Sequence, residues 1–142
     1  ASIVRIGNVT KPTCNPSLDY IGKILWLYDQ DRPIFDDQFI TLTHLGQLSQ
    51  AILKLIESNK FGVFHVASSD LVTPFQLAEY LVQRIRPNGH DVKKASIDSY
   101  LKDHPNRYPK FGGLQGQDTR ESLGMAPMSW REMVDDFVND AL

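Results

Sequence analysis

The side chains that could do chemistry are thinly spread in this sequence, and the tyrosines are the first to test. A phenol becomes a useful general acid near neutral pH when a lysine one helical turn away raises its acidity. The residues four positions after Tyr20, Tyr28, Tyr80, Tyr100 and Tyr108 are Ile24, Arg32, Arg84, His104 and Gly112, so no tyrosine is paired in that way. Tyr20 and Lys23 are three apart and read as an ordinary surface pair on a helix. No catalytic residue is assigned.

Anion cradles are the next possibility. The run Gly112-Gly113-Leu114-Gln115-Gly116 fits neither the dinucleotide fingerprint nor a P-loop, and no strand precedes it. Gly7-Asn8-Val9 is a better place for a ligand, because it follows a strand and open α/β sheets bind at the carboxyl ends of their strands. A plain turn with Asn8 in a left-handed conformation is the other reading of that tripeptide. Asp36, Asp37, Gln38 and Thr43 lie within a few residues of one another, and Arg107 could clamp a diphosphate through its planar fork. Lys102, Lys110 and Arg120 are alternatives to it, and a solvated acidic turn or loop charge is the plain reading of both groups.

His44, His65, His90 and His104 lack the close paired spacing of a zinc site, and no metal is expected. Cys14 is the single cysteine, which rules out an intramolecular disulfide and a thiolate cluster built from this sequence alone, and fits a reducing compartment.

These residues must be carried by alternating strands and helices. Ser2 to Gly7 reads as a buried strand, which must pair with something; in a doubly wound protein that partner is a parallel sheet lying upstream. Asn15-Pro16 looks like a cap and first-turn proline opening a helix over 16–30, with Leu18, Ile21, Leu25 and Tyr28 inward. Pro33 to Phe35 and Phe39 to Leu42 are short extended pieces. Thr43 can cap a helix whose core stripe is Leu45, Leu48, Ile52, Leu55 and Ile56. Val63 to Ala67 is a strand, and Thr73-Pro74-Phe75-Gln76 is a capping box opening a helix with Leu77, Ala78, Leu81, Val82 and Ile85 inward. Val92 to Ile97 reads as a strand and Ile97 to Lys102 as a single helical turn. Asp103 to Gly116 is irregular, broken by Pro105, Pro109 and Gly112-Gly113, and a loop of that length in a compact domain is often functional. A short helix over 119–123 is closed by Gly124, and Ser129-Trp130-Arg131-Glu132 caps a last helix carrying Met133, Val134, Phe137 and Val138.

Composition narrows the class. With 42% hydrophobic and 23% charged residues over 142 positions the chain can build an ordinary core, and a formal net charge of −2 with both signs interspersed leaves no footprint for nucleic acid or an anionic membrane. Its apolar runs are too short to span a bilayer, and its first residues lack the layout of a secretory signal, so a cytoplasmic location is expected.

Three stretches together resemble a known family. Val4-Arg5-Ile6-Gly7-Asn8-Val9 with Pro12 looks like the strand and loop that follow the catalytic tyrosine and lysine of extended short-chain dehydrogenases. Ile34-Phe35-Asp36-Asp37-Gln38 through Thr43, Leu48 to Leu55, Gly62-Val63-Phe64-His65-Val66-Ala67 and Thr73 to Leu81 follow the order of segments in the second half of dTDP-4-dehydrorhamnose reductases. Leu114 to Gly124 with Ser129-Trp130-Arg131-Glu132 resembles that family's closing Leu-Asp…Leu-Gly…Trp-Arg pattern. The family's Tyr-Gly after the first strand is Thr10-Lys11 here, its Gly and Pro after Asp-Gln are Ile40 and Leu42, and its late Asp is Gln115.

The resemblance implies an α/β fold: the C-terminal substrate-binding lobe of an extended short-chain dehydrogenase with one remnant Rossmann strand, the N-terminal Rossmann portion being absent. Residues 1–12 would be the remnant strand and loop, and 13–142 the substrate-binding domain. It implies a sugar-nucleotide substrate bordered by Gln38, Thr43 and Arg107, a cofactor wall at Gly7, Asn8 and Val9, and NADPH or NADH held by the full-length parent, with no cofactor expected for this chain alone. Without the tyrosine, the lysine and the glycine fingerprint it would not catalyse by itself. A regulatory or protein-interaction module of the same fold is the second reading. Either way the missing Rossmann domain is the expected partner, and the exposed first strand is expected to promote homo-oligomers.

Overall fold

Parallel pairings of distant segments organise the chain in the computed structural model, which describes residues 1–11 and 15–141; Cys14, and Pro12 in the first family-like loop, lie outside the described residues. β1 (Ser2–Ile6) pairs with β5 (Gly62–Val66), with Val4 beside Phe64. β2 (Asn8–Thr10) pairs with β4 (Leu42–His44), and β3 (Ile34–Phe35) with β6 (Lys94–Ala95). The first strand thus finds a parallel partner inside this chain, where the sequence suggested one upstream, and it is largely exposed rather than buried, because β5 is its one strand partner among the described residues. Asn8 is not left-handed: among the described residues only Asp31, Asn59 and Asn106 are non-glycine residues with positive φ. It opens a strand because its N–H donates to Thr41 O (3.2 Å) and Gly7 N–H donates to the Thr43 hydroxyl (2.8 Å), which stitches the 7–10 segment onto 41–44.

The main core lies between α1 (Tyr20–Asp29), α3 (Pro74–Ile85) and α6 (Trp130–Ala141). Ile21, Leu25, Leu77, Leu81, Met133 and Phe137 meet there with Ile34 and Leu42. Helical spacing of apolar residues on each of the three helices produces this contact. A smaller core joins α2 (Leu45–Ser58) to β5 and α5 (Gln117–Leu123) through Ala51, Leu55, Phe64, Val66 and Leu123.

α1 starts four residues later than the Asn-Pro signal indicated. Asn15 instead closes a turn, its carbonyl accepting from Leu18 and Asp19 and its side chain from Ser17 (2.9 Å), while Asp19 caps the helix through Gly22 N–H (2.9 Å). Leu18 consequently stays exposed. Thr43 is not the cap of α2. It belongs to β4, and His44 caps the helix, its Nδ1 accepting from Gly46 N–H (3.0 Å) while Nε2 sits 2.8 Å from Asp136 on α6. Accepting at Nδ1 places the ring proton on Nε2. Leu45, Ile52 and Ile56, read as core, are exposed, as is Leu53. The strand expected over 92–97 is reduced to Lys94–Ala95, because Ser96 immediately caps α4 (Ile97–Asp103), which is two turns rather than one.

The capping box of α3 is complete: the Thr73 hydroxyl accepts from Gln76 N–H (3.1 Å) and the Gln76 side chain accepts from Thr73 N–H (3.1 Å). Thr73→Ala is expected to lower the unfolding free energy by about 1 kcal/mol, read as a shift of the urea midpoint at constant slope. A change under a few tenths would mean that the helix does not depend on this cap.

Candidate binding cavity

A cavity of about 460 Å³ lies between α1, β3 and α4, and is built from segments far apart in the sequence. α1 contributes Tyr20, Lys23, Ile24 and Leu27; the turn after it, Arg32 and Pro33; β3, Ile34 and Phe35. Asn8 from β2 and Gln38 close one side, and Ser96, Tyr100 and Tyr108 the other.

Each polar residue is held for a local reason. Asp37 accepts from the Ser96 hydroxyl (2.7 Å) and from Ile97 N–H (2.6 Å), which fixes the start of α4 and with it Tyr100. Gln38 donates its side-chain N–H to Pro109 O (3.0 Å), Phe39 N–H reaches Lys110 O (2.8 Å), and Gly112 N–H reaches Phe39 O (2.8 Å). The 36–39 segment therefore clamps the long irregular loop, and Tyr108 with it, to the cavity. Tyr100 stacks on His104 (centroids 4.3 Å apart) and faces Tyr108 (5.9 Å), with Phe35 edge-on (5.5 Å). The result is a column of aromatic faces on the cavity's edge.

Desolvation raises the Asp37 pKa, but the hydrogen bonds from Ile97, Ser96 and Asp98 outweigh it and leave the carboxyl below its ordinary 3.8. A group whose folded pKa is depressed contributes stability that is present above the unfolded value and lost as pH falls through the folded one. Acidification below about pH 4 should therefore loosen the start of α4. Amide exchange at Ile97 and Ser99 tests this, with Asp37→Asn expected to abolish the acid-dependent part. Protection independent of pH in the native chain would count against it.

Two further features matter for ligands. Burial, and secondarily the neighbouring Tyr108, pushes the Tyr20 phenol well above the ordinary tyrosine range, so it stays a neutral donor; its hydroxyl has no hydrogen-bond partner among the described residues. Lys23 and Arg32 likewise have no carboxylate partner among the described residues, although other cations do, such as Lys93 with Asp31 and Lys110 with Asp98. The Arg32 guanidinium lies 5.6 Å from the Trp26 ring. Unpaired cations beside aromatic faces suit an anion attached to a flat ring.

Of the residues singled out from the sequence, Asn8 and Gln38 meet at this cavity. Gly7 and Val9 flank Asn8 without lining it. Thr43 is fully buried, accepting from Gly7 N–H and donating to Val66 O (2.6 Å), so it acts through the strand that carries Asn8. Arg107 rests over the Tyr108 ring (5.6 Å) and does not line the cavity. Tyr20, Lys23, Arg32, Tyr100 and Tyr108 were not read as a site. The Tyr20/Lys23 spacing was the one available signal, and it is common on plain surface helices. Gly113 to Gly116 of the glycine run border a second, smaller cavity of about 250 Å³ with Ser69 and Arg120. A side chain at Gly116 would stand 3.0 Å from His65 O, so close packing accounts for that glycine.

No helix among the described residues is long and apolar enough to cross a membrane, and no group of three or more His, Cys, Asp or Glu residues there is arranged to hold a metal.

The model of the RmlD substrate binding domain family matches residues 2–142. Among curated proteins, the chain is 29% identical over 92 residues to a probable low-salt glycan biosynthesis reductase, Agl14, of Haloferax volcanii, covering 65% of this chain and 30% of that one. Among solved structures it is similar to a dTDP-4-dehydrorhamnose reductase from Yersinia enterocolitica (TM-score 0.77, 21% identity, 99% of this chain and 50% of that one). It is also similar to one from Bacillus anthracis in complex with NADP (TM-score 0.75, 21% identity, 99% and 48%). At these identities the structural likeness is one of fold. The chain spans about half the length of these structures and less than a third of the curated relative.

Proposed function

Because the chain belongs to the RmlD substrate binding domain family, we propose that it is the substrate-binding lobe of an NAD(P)-dependent sugar-nucleotide reductase of the dTDP-4-dehydrorhamnose type, and that it performs no hydride transfer alone. The observation that carries this is the cavity, which Lys23 and Arg32, without a carboxylate partner among the described residues, line together with Phe35, Tyr100 and Tyr108. A sugar nucleotide offers a diphosphate to the cations and a flat base to the rings. Asn8 and Gln38 border the ligand, Thr43 holds the strand that carries Asn8, and Arg107 backs Tyr108.

The nicotinamide cofactor, NADPH or NADH, would supply the hydride from a part of the parent outside this chain, with Gly7, Asn8 and Val9 beside it. The residues present do not fit the dinucleotide's phosphates. After β1 the chain runs into β2 instead of a helix, and the start of α2 is capped by its own His44. The N-terminal lobe that holds the cofactor would cover the outer edge of β1 and the apolar side chains left exposed at Ile3, Ile52, Leu53 and Ile56.

The test is NADPH-dependent turnover of dTDP-4-dehydrorhamnose by the natural gene product. Turnover supports the reading; a natural product that binds no nucleotide sinks it and favours a protein-interaction module of the same fold.

A further inference from the structure

The glycine run that matches no phosphate motif lets two loops come together. A Cβ on Gly113 would collide with Leu71 Cδ2, and one on Gly116 would stand 3.0 Å from Arg120 Nη1 as well as from His65 O. Between the two loops, 68–71 and 113–117, lies the cavity of about 250 Å³. None of the residues that line it lines the first cavity. Its size is the liquid volume of about eight waters, which admits a small organic acid and falls below the roughly 300–1,000 Å³ usual for drug-sized ligands.

Both signs of charge in the lining have capacity for a ligand. Arg120, half-buried, has no carboxylate partner among the described residues, and its one bond there is a long one from Nη1 to Ala67 O (3.4 Å). Asp70 accepts from Trp130 N–H through Oδ1 (3.0 Å), while Oδ2 accepts no hydrogen bond among the described residues. Ser69 N–H donates to Met128 O (2.9 Å), and its hydroxyl has no partner among the described residues. Gly116 is buried, yet neither its N–H nor those of Gly113 and Gln115 finds an acceptor among the described residues. A buried donor without a partner is costly, and a ligand or water normally supplies the acceptor.

We propose that this second cavity binds a small carboxylate bearing a hydrogen-bond donor on the neighbouring carbon, that is, a 2-hydroxy or 2-amino acid. The carboxylate lies against the Arg120 fork and the Ser69 hydroxyl, and the ligand's hydroxyl or ammonium faces Asp70. Inorganic phosphate would set its charge against Asp70, whereas an acid with a donor beside it meets each charged residue with its complement. The unpartnered N–H groups of the glycine loop favour the same anionic end. No residue of this cavity belongs to the proposed sugar-nucleotide site, so either can fail without the other.

The experiment titrates the protein with L-lactate, L-alanine, propionate and inorganic phosphate and follows the amide shifts of Ser69, Gly113, Gln115 and Gly116 by NMR. Saturable shifts centred on these amides are expected for lactate or alanine, at an affinity at least about tenfold above propionate, which has the carboxylate without the donor. Lactate as the tighter ligand identifies a hydroxy acid, alanine an amino acid. Arg120→Gln should weaken binding by at least about tenfold, with Arg120→Lys intermediate because an ammonium keeps the charge without the fork. Asp70→Asn, which keeps an acceptor for Trp130 N–H, should bring the preferred ligand and propionate within about twofold of one another. Ser69→Ala, at an exposed position, should weaken binding several-fold and keeps the placement testable if Arg120→Gln does not fold. Shifts that are linear in concentration and alike for all four compounds overturn the site and leave it to water. Propionate as tight as both donors' acids, or phosphate the tightest, overturns the pairing of charges. Undiminished binding by folded Arg120→Gln, or by Ser69→Ala, overturns the placement of the carboxylate.

Discussion

Asp19→Ala should destabilise the chain by about 3 kcal/mol, well beyond the usual cost of a lost helix cap. Asp19 is only 2% exposed, and one carboxylate serves three clients. Oδ1 accepts from Gly22 N–H (2.9 Å) at the start of α1, Oδ2 from Lys11 N–H (2.8 Å), and the Thr10 hydroxyl lies 3.2 Å from Oδ1. Thr10 is itself buried at the end of β2. Alanine would leave a helix donor, a strand-end donor and a hydroxyl without partners in a place water does not reach, and β2 would lose its tie to α1. The urea midpoint reads the loss, and amide exchange across Asn8 to Lys11 locates it. A cost below about 1 kcal/mol would mean that the junction does not depend on this carboxylate.

The same residue has a pH signature of known sign. Desolvation raises the Asp19 pKa above 3.8 and wins over the bonds from Gly22, Lys11, Thr10 and Ile21, which lower it. Its proton is thus held more tightly in the folded chain than in the unfolded one. Stability from that difference is fully present below the unfolded value and is lost as pH rises through the folded one. The stability gap between the native chain and Asp19→Ala should accordingly be widest in acid and narrow above that point. This is the reverse of Asp37, whose hydrogen bonds hold its pKa down.

Asp19 also shows where sequence patterns stop short. Asn15-Pro16 is a sound local signal for a helix start, but a turn satisfies it equally, and the choice is made by Asp19 through Thr10 and Lys11, which no periodicity reveals. Signals closed within a few residues were legible: the capping box at Thr73, the Ser129 hydroxyl as acceptor for Glu132 N–H, the strand over 62–66, and the breakers that make 104–116 irregular. β2 was not, because three residues become a strand only by pairing with 42–44. The apolar stripe of α2 was seen correctly as a stripe, yet periodicity reports which residues share a face and not whether anything covers it. Ile52 and Ile56 are accordingly exposed while Leu55 is buried. The cavity was half visible, through Asn8 and Gln38, since family-like order marked those segments. Tyr20, Arg32 and Tyr100 converge on it from stretches up to 80 positions apart, a fact of packing alone.

Gly7→Ala should cost about 2–3 kcal/mol, and with it most of the chain's hold on a ligand at Asn8. From sequence this glycine looked like part of a cofactor wall, and its geometry gives a separate reason for glycine. A Cβ there would stand 2.5 Å from the main-chain oxygen of Thr41 and 3.0 Å from that residue's hydroxyl oxygen. Real Cβ atoms do not approach a carbonyl that closely, so 7–10 must move away from 41–44. Those are the segments joined by Gly7 N–H to Thr43 and Asn8 N–H to Thr41 O. Relief of the clash therefore breaks the stitches that bring Asn8 to the cavity. Trimming the Thr41 side chain should not rescue the variant, because the nearest obstacle is backbone, and Thr41→Ala with Gly7→Ala is expected to be no more stable than Gly7→Ala alone. Chemical denaturation of the native chain and the two variants decides the matter. Full stability in Gly7→Ala with loss of nucleotide binding would instead mark Gly7 as a place where a ligand, not Thr41, needs the room.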